Sequence, residues 1–133
     1  MRLVSFLRNR FFINILISLI ISFNAYAEVI IIPPSDNSQE RIQEALILAN
    51  PGDTIQLISG NYELEDSLSL DIDGITIIGD GHEYTILNFA NQKSGAQGLM
   101  VTSDDVILRD FAVIDAKGDA IKVKGSNGIS FIN

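Results

Sequence analysis

The hydrophobic positions of this chain change their spacing twice. From Phe11 to Phe23 they run nearly unbroken, with Asn14 and Ser18 among the few interruptions. Ile42, Ala45, Leu46 and Ala49 then follow the i, i+3, i+4, i+7 spacing of one helix face. From Ile55 onward the period is two, at Ile55 and Leu57, at Leu68, Leu70 and Ile72, and at Ile75 and Ile77. The spacing predicts an opening strand in "EVIII", Glu28 to Ile32, stopped by Pro33-Pro34, which cannot continue a ladder. One amphipathic helix of about three turns follows. Asn37 with Glu40 three residues on fits a capping box in residue type, and Pro51-Gly52 closes the helix just after Asn50. Beyond it a turn is expected at Ser59-Gly60-Asn61, a short strand at Thr85 to Phe89, and then only short strands separated by polar turns.

Three stretches of this period-two region carry the same phrase: "LDIDGITI" (Leu70 to Ile77), "VTSDDVIL" (Val101 to Leu108) and "VKGSNGISF" (Val123 to Phe131). Superimposed, they align Ile75 with Val106 and Ile129, Ile77 with Leu108 and Phe131, and the polar Asp73 with Asp104 and Asn127. The aligned positions are 31 and then 23 residues apart, and removing the polar stretch "ANQKSGAQ", Ala90 to Gln97, brings the first spacing to 23. A fixed period of this size marks a repeat architecture. Alternation excludes helical repeats, and the leucines and asparagine of a leucine-rich repeat are missing. A parallel β-helix fits: three short strands make one coil, and coils stacked about 4.8 Å apart turn equivalent residues into columns. Ile75/Val106/Ile129 and Ile77/Leu108/Phe131 are the expected inward columns, with Thr76/Ile107/Ser130 facing out. An antiparallel meander competes locally, since "IKVKGSNGISF" (Ile121 to Phe131) also reads as a hairpin with a four-residue loop. A hairpin would not require the register to agree across all three phrases.

"RIQEALILANPGDTIQLISGNYEL", then "LSLDIDGITIIGDG", then "TILNF" resembles the opening of right-handed parallel β-helix proteins of the pectate-lyase-like superfamily. The resemblance runs from about Ile42 to Asn133 and is specific for fold rather than function. It implies an all-β, right-handed parallel β-helix solenoid of about three to four coils. Its N-terminal end would be closed by a capping α-helix through Ile42, Ala45, Leu46 and Ala49. It also implies a carbohydrate setting, since the superfamily holds polysaccharide lyases, pectin esterases, glycoside hydrolases and uronan epimerases beside exported proteins of no known activity. Its enzymes place catalysis on central coils, and this sequence reaches "GISFIN" in an expected strand without a C-terminal cap. The chain therefore reads as the cap and first coils of a longer domain. The alternatives are a non-enzymatic carbohydrate-binding or surface-scaffold β-helix, and a truncated fragment without activity.

The first 27 residues are expected to be no part of this fold. Arg2, Arg8 and Arg10, the apolar run and the small-x-small Ala25-Tyr26-Ala27 form a secretory signal peptide cut after Ala27. The run is short for a membrane span of about 20 residues. The mature domain would be 28–133, exported to the periplasm or beyond, with no stable membrane insertion after cleavage. Loss of the three arginines takes the formal charge from -8 to -11. That balance argues against nucleic acid and anionic membranes, and it repels anionic polysaccharides unless a cation or a local basic groove intervenes. The chain has no cysteine, which removes disulfides, thiol nucleophiles and cysteine-zinc sites.

No catalytic constellation emerges. His82, the one histidine, sits in the turn "GDGHEY" and reads as a polar loop residue. Asp73, Asp104 and Asn127 should stack, and like charges about 5 Å apart repel unless screened. Calcium would take such oxygens, although the nonapeptide of dedicated calcium solenoids is missing and no other cofactor is implied. Asp110, Asp115 and Asp119 lie near Lys117, Lys122 and Lys124, a set that acid-base chemistry or plain surface ion pairs both explain. No phosphate loop or Gly-x-Ser-x-Gly elbow occurs. The polar 90–97 stretch, with Lys93 at its centre, is the best binding candidate, as a loop expected to protrude between coils.

Overall fold

The structure is a computed structural model and describes residues 26–133. The expected signal peptide, apart from Tyr26 and Ala27, lies outside the described residues. Among the described residues the chain is mostly strand, with one helix. β1 (Val29–Ile32) leads to α1 (Ser38–Leu48). Then come β2 (Thr54–Leu57), β3 (Gly60–Glu63), β4 (Leu68–Leu70), β5 (Thr76–Ile78), β6 (Thr85–Asn88) and β7 (Leu99–Val101). β8 (Ile107–Arg109), β9 (Ala112–Ile114), β10 (Ile121–Val123) and β11 (Ser130–Ile132) complete the order.

Every strand pairing is parallel. Three sheets result, with orders β1-β2-β5-β8-β11, β3-β6-β9 and β4-β7-β10. From β2 onward the chain visits these sheets in fixed rotation, so each strand pairs with the one three places on. The register places Ile55 beside Ile77, Ile77 beside Leu108 and Leu108 beside Phe131, with Thr76 beside Ile107 and Ile107 beside Ser130. The columns read from the repeated phrase are therefore present. β10 pairs with β7 and β11 with β8, so the hairpin alternative for Ile121 to Phe131 is not formed. The 90–97 insertion falls in the β6–β7 connection, as its length effect on the spacing required.

The core lies between the sheets. Leu57, Tyr62, Leu64, Leu70, Ile75, Leu99, Val101 and Val106 are fully buried, and each large apolar side chain so buried contributes about 1.5–3 kcal/mol. α1 covers one end with Ile42, Ala45 and Leu46, joined by Ala49 just beyond its last turn. The predicted capping box is corrected: Asn37 is the N-cap residue but makes no side-chain cap bond. Its Oδ1 accepts from Ser35 Oγ at 2.8 Å instead, and Ser38 closes the turn by donating to the Ser35 carbonyl at 2.7 Å. The turn expected at Ser59-Gly60-Asn61 is also narrower, because Gly60 already opens β3. A glycine is required there since a Cβ would come within 2.5 Å of Pro34.

The corners before β2, β5, β8 and β11 in the first sheet repeat one backbone device. Gly52, Gly74, Asp105 and Gly128 all have positive φ, at 98°, 72°, 54° and 68°. Glycine takes this conformation freely, and aspartate is one of the few other residues that adopts it at modest cost.

Candidate functional site

The turn residues Asp73, Asp104 and Asn127 do stack, and hydrogen bonds explain how. The backbone N–H of Asp104 donates to Asp73 Oδ1 at 2.8 Å, and that of Asn127 donates to Asp104 Oδ1 at 2.8 Å. Each carboxylate thus caps the backbone of the next turn, which offsets the repulsion expected between stacked acids. Among the described residues, no group of three or more His, Cys, Asp or Glu side chains is placed to hold a metal ion.

The loop carrying Lys93 is exposed except at Gln92 and Gln97. It folds back on the 63–67 segment of the preceding turn. Lys93 Nζ lies 2.6 Å from Glu65 Oε2 and its backbone N–H donates to the Glu65 carbonyl. Ser94 Oγ donates to Asp66, and Asn91 Nδ2 donates to Glu63 Oε2 at 2.9 Å. Gln92 is the buried pin of this fold-back, 4% exposed. Its amide donates to the Gln97 carbonyl at 2.9 Å and to Ser67 Oγ at 3.1 Å, and its oxygen accepts the Lys117 N–H at 3.1 Å.

Folding back in this way brings Asn91 to the edge of a polar cleft of about 710 Å³. The start of α1 makes one wall with Asp36, Asn37, Gln39 and Glu40, and the outer face of β3 with its following turn makes the floor with Asn61, Glu63, Glu65 and Asp66. Local rules set each part. Alternation along β3 buries Tyr62 and turns Asn61 and Glu63 outward. Gln39 Oε1 accepts the N–H groups of Glu65 and Asp66 at 3.2 and 3.1 Å, locking the helix to the turn. Glu63 is held from both sides, by Asn61 Nδ2 at 3.1 Å and by Asn91. The cleft therefore presents carboxylates and side-chain amides, with Glu63, Glu65 and Asp66 held by neighbouring side chains, a set suited to hydrogen-bonding hydroxyl or ammonium groups.

The other sequence candidates are not brought to this cleft. His82 is exposed in the β5–β6 turn. Asp119 pairs with Lys122 at 3.3 Å, and Arg109 with Asp110 at 2.7 Å, both at partly or wholly exposed sites. Asp115 takes positive φ at the corner after β9, which gives it a backbone role. Sequence reasoning missed Asn61, Glu63, Glu65 and Asp66. The dense acids of "NYELED" were the available signal, but nothing in the sequence placed the helix start opposite them.

The chain matches no family model, no curated protein and no solved structure. No described helix is long and apolar enough to cross a membrane.

Proposed function

We propose that the three parallel sheets are the faces of a right-handed parallel β-helix of three to four coils capped by α1, and that the exported protein uses it to bind a polysaccharide. The fixed rotation of the chain through three sheets supports the β-helix. Parallel crossovers are right-handed in nearly all proteins, and the resemblance to pectate-lyase-like openings points the same way. The cleft between α1 and β3 is the observation that carries the binding reading. It is long on hydrogen-bonding groups, rigidly supported, and lies beside the capped end. Its lining carries five carboxylates and no cation, and Lys93 nearby is already paired with Glu65. A polyuronate would be repelled there, so the ligand is a neutral or amino-sugar polymer.

The test is affinity of the export-processed protein for neutral, amino-sugar and uronic polysaccharides, read by calorimetry, with reducing-end release followed in the same samples. Binding to a neutral or amino-sugar polymer that weakens about tenfold in Glu63→Gln or Asn91→Ala supports the reading, an effect of about 1.4 kcal/mol. Tight binding only to uronates, or binding untouched by both substitutions, contradicts it. Release of reducing ends would instead make the protein an enzyme, the reading that rests on the resemblance alone.

A further inference from the structure

Glu28 is held by its backbone at both ends although its side chain is exposed. Its carbonyl accepts the Thr54 N–H at 2.8 Å, and its own N–H donates to Asp53 Oδ1 at 2.8 Å. Asp53 is buried, 2% exposed, and its other oxygen accepts the Asn50 N–H at 2.7 Å. The nitrogen that reaches this buried carboxylate is the one that cleavage after Ala27 would free.

We infer that removal of the signal peptide creates, at the Glu28 nitrogen, an α-ammonium group that docks on Asp53 as an ion pair, so that processing tightens the closed end of the fold. The inference rests on the export reading. In the cleavage, water adds across the Ala27–Glu28 peptide bond: hydroxyl goes to the Ala27 carbonyl carbon, and the C–N bond breaks. The Glu28 nitrogen leaves as an amine and takes a further proton at neutral pH. An amide donor to the Asp53 carboxylate thereby becomes a charged donor, and a bond charged on one side only becomes an ion pair charged on both. The consequence is structural. Glu28 immediately precedes β1, the strand against which α1 and β2 pack, so the ion pair anchors the entry to that strand.

The charged groups on the surrounding elements are the Glu28 carboxylate itself, Asp73 beside Gly74, whose carbonyl accepts the Gly52 N–H, and Arg41 and Glu44, which line the groove between α1 and β1. The hydrogen bonds from Asn50 and then Glu28 hold the Asp53 carboxyl below its ordinary range. A depressed acid contributes stability above its unfolded pKa, about 3.9, that is lost as pH falls through the folded value. The new amine has the opposite sign. Its folded pKa is raised by Asp53, so its contribution is complete below an unfolded value of about 7.7–8.0 and is lost as pH rises through the folded one. Tyr62, pushed up to about 12 mainly by burial and then by Asp80, gives its own loss only above about 10.

The experiment starts from the full chain, with its own leader, produced in an exporting bacterial host. Intact mass and N-terminal sequencing fix the first residue of the product. The rate at which its α-amine acylates at pH 7.5 and its Tm from pH 6 to 10 are then measured for the wild type and for Asp53→Asn. The inference expects a product beginning at Glu28. Its amine should acylate about tenfold more slowly than in Asp53→Asn, the ratio a rise of about one in pKa gives. The wild type should lose about 4 °C of Tm between pH 7 and 9.5, and the variant should not. If Asp53→Asn does not fold, the wild-type amine in urea replaces it as the fast reference. A first residue other than Glu28 overturns the cleavage site and the ion pair together. A product beginning at Glu28 whose amine reacts alike in all states overturns the ion pair and leaves export standing.

Discussion

Asp104 shows how a surface carboxylate can serve the backbone. It caps the Asn127 N–H while its own N–H is capped by Asp73, both at 2.8 Å. Replacing Asp104 with Ala removes one link and is expected to cost about 1 kcal/mol, read by thermal unfolding in chelator, with Asp104→Asn close to wild type. A wild-type Tm that itself falls on chelation by as much as the Ala variant would point to a bound ion in this column instead. The alignment of Asp73, Asp104 and Asn127 was legible in the sequence because each precedes an apolar strand by the same interval. Their use as backbone caps was not legible, since it depends on the distance between adjacent turns. The positive φ that follows was half visible: Gly74 and Gly128 announce it, whereas Asp105 takes the same conformation with a side chain that does not require it.

At the scale of the element, α1 is a lid whose two faces have unequal weight. Leu46 is fully buried and Ile47 is 60% exposed. Leu46→Ala is expected to cost about 2–5 kcal/mol by opening a cavity at the closed end, and Ile47→Ala to stay within about 0.5 kcal/mol, both measured by urea unfolding. Equal costs would mean that the helix does not sit as described. The apolar spacing of Ile42, Ala45, Leu46 and Ala49 announced this face correctly. The helix start was read correctly at Asn37, but its capping bond was not, because Asn37 had a nearer partner, Ser35, than the backbone it was expected to cap. Gln39 and Gln43 carry the docking that sequence periodicity cannot show. Gln43 both donates to the Ser69 carbonyl at 3.0 Å and accepts its N–H at 2.9 Å, pairing with the edge of β4 as a neighbouring strand would. An edge satisfied in this way is not open to pairing with another chain.

Across the whole molecule, burial follows the order of the tiers. Side chains inside the sheets are sealed from β2 to β8, but Val113, Ile121 and Ile129 are only partly buried and Phe131 is 60% exposed. The sequence announced the repeat because each tier must present the same inward pair to its neighbours. It did not announce the cleft, which forms where α1, the β3 turn and the fold-back of the 90–97 loop meet. The central claim is the parallel stacking of tiers 22 to 31 residues apart. Backbone NOEs in the isotope-labelled protein test it most directly. The account predicts contacts linking Leu108 with Phe131 and Val101 with Val123, in parallel register. A ladder of antiparallel contacts joining β10 to β11 across Gly125 and Gly128 would contradict it.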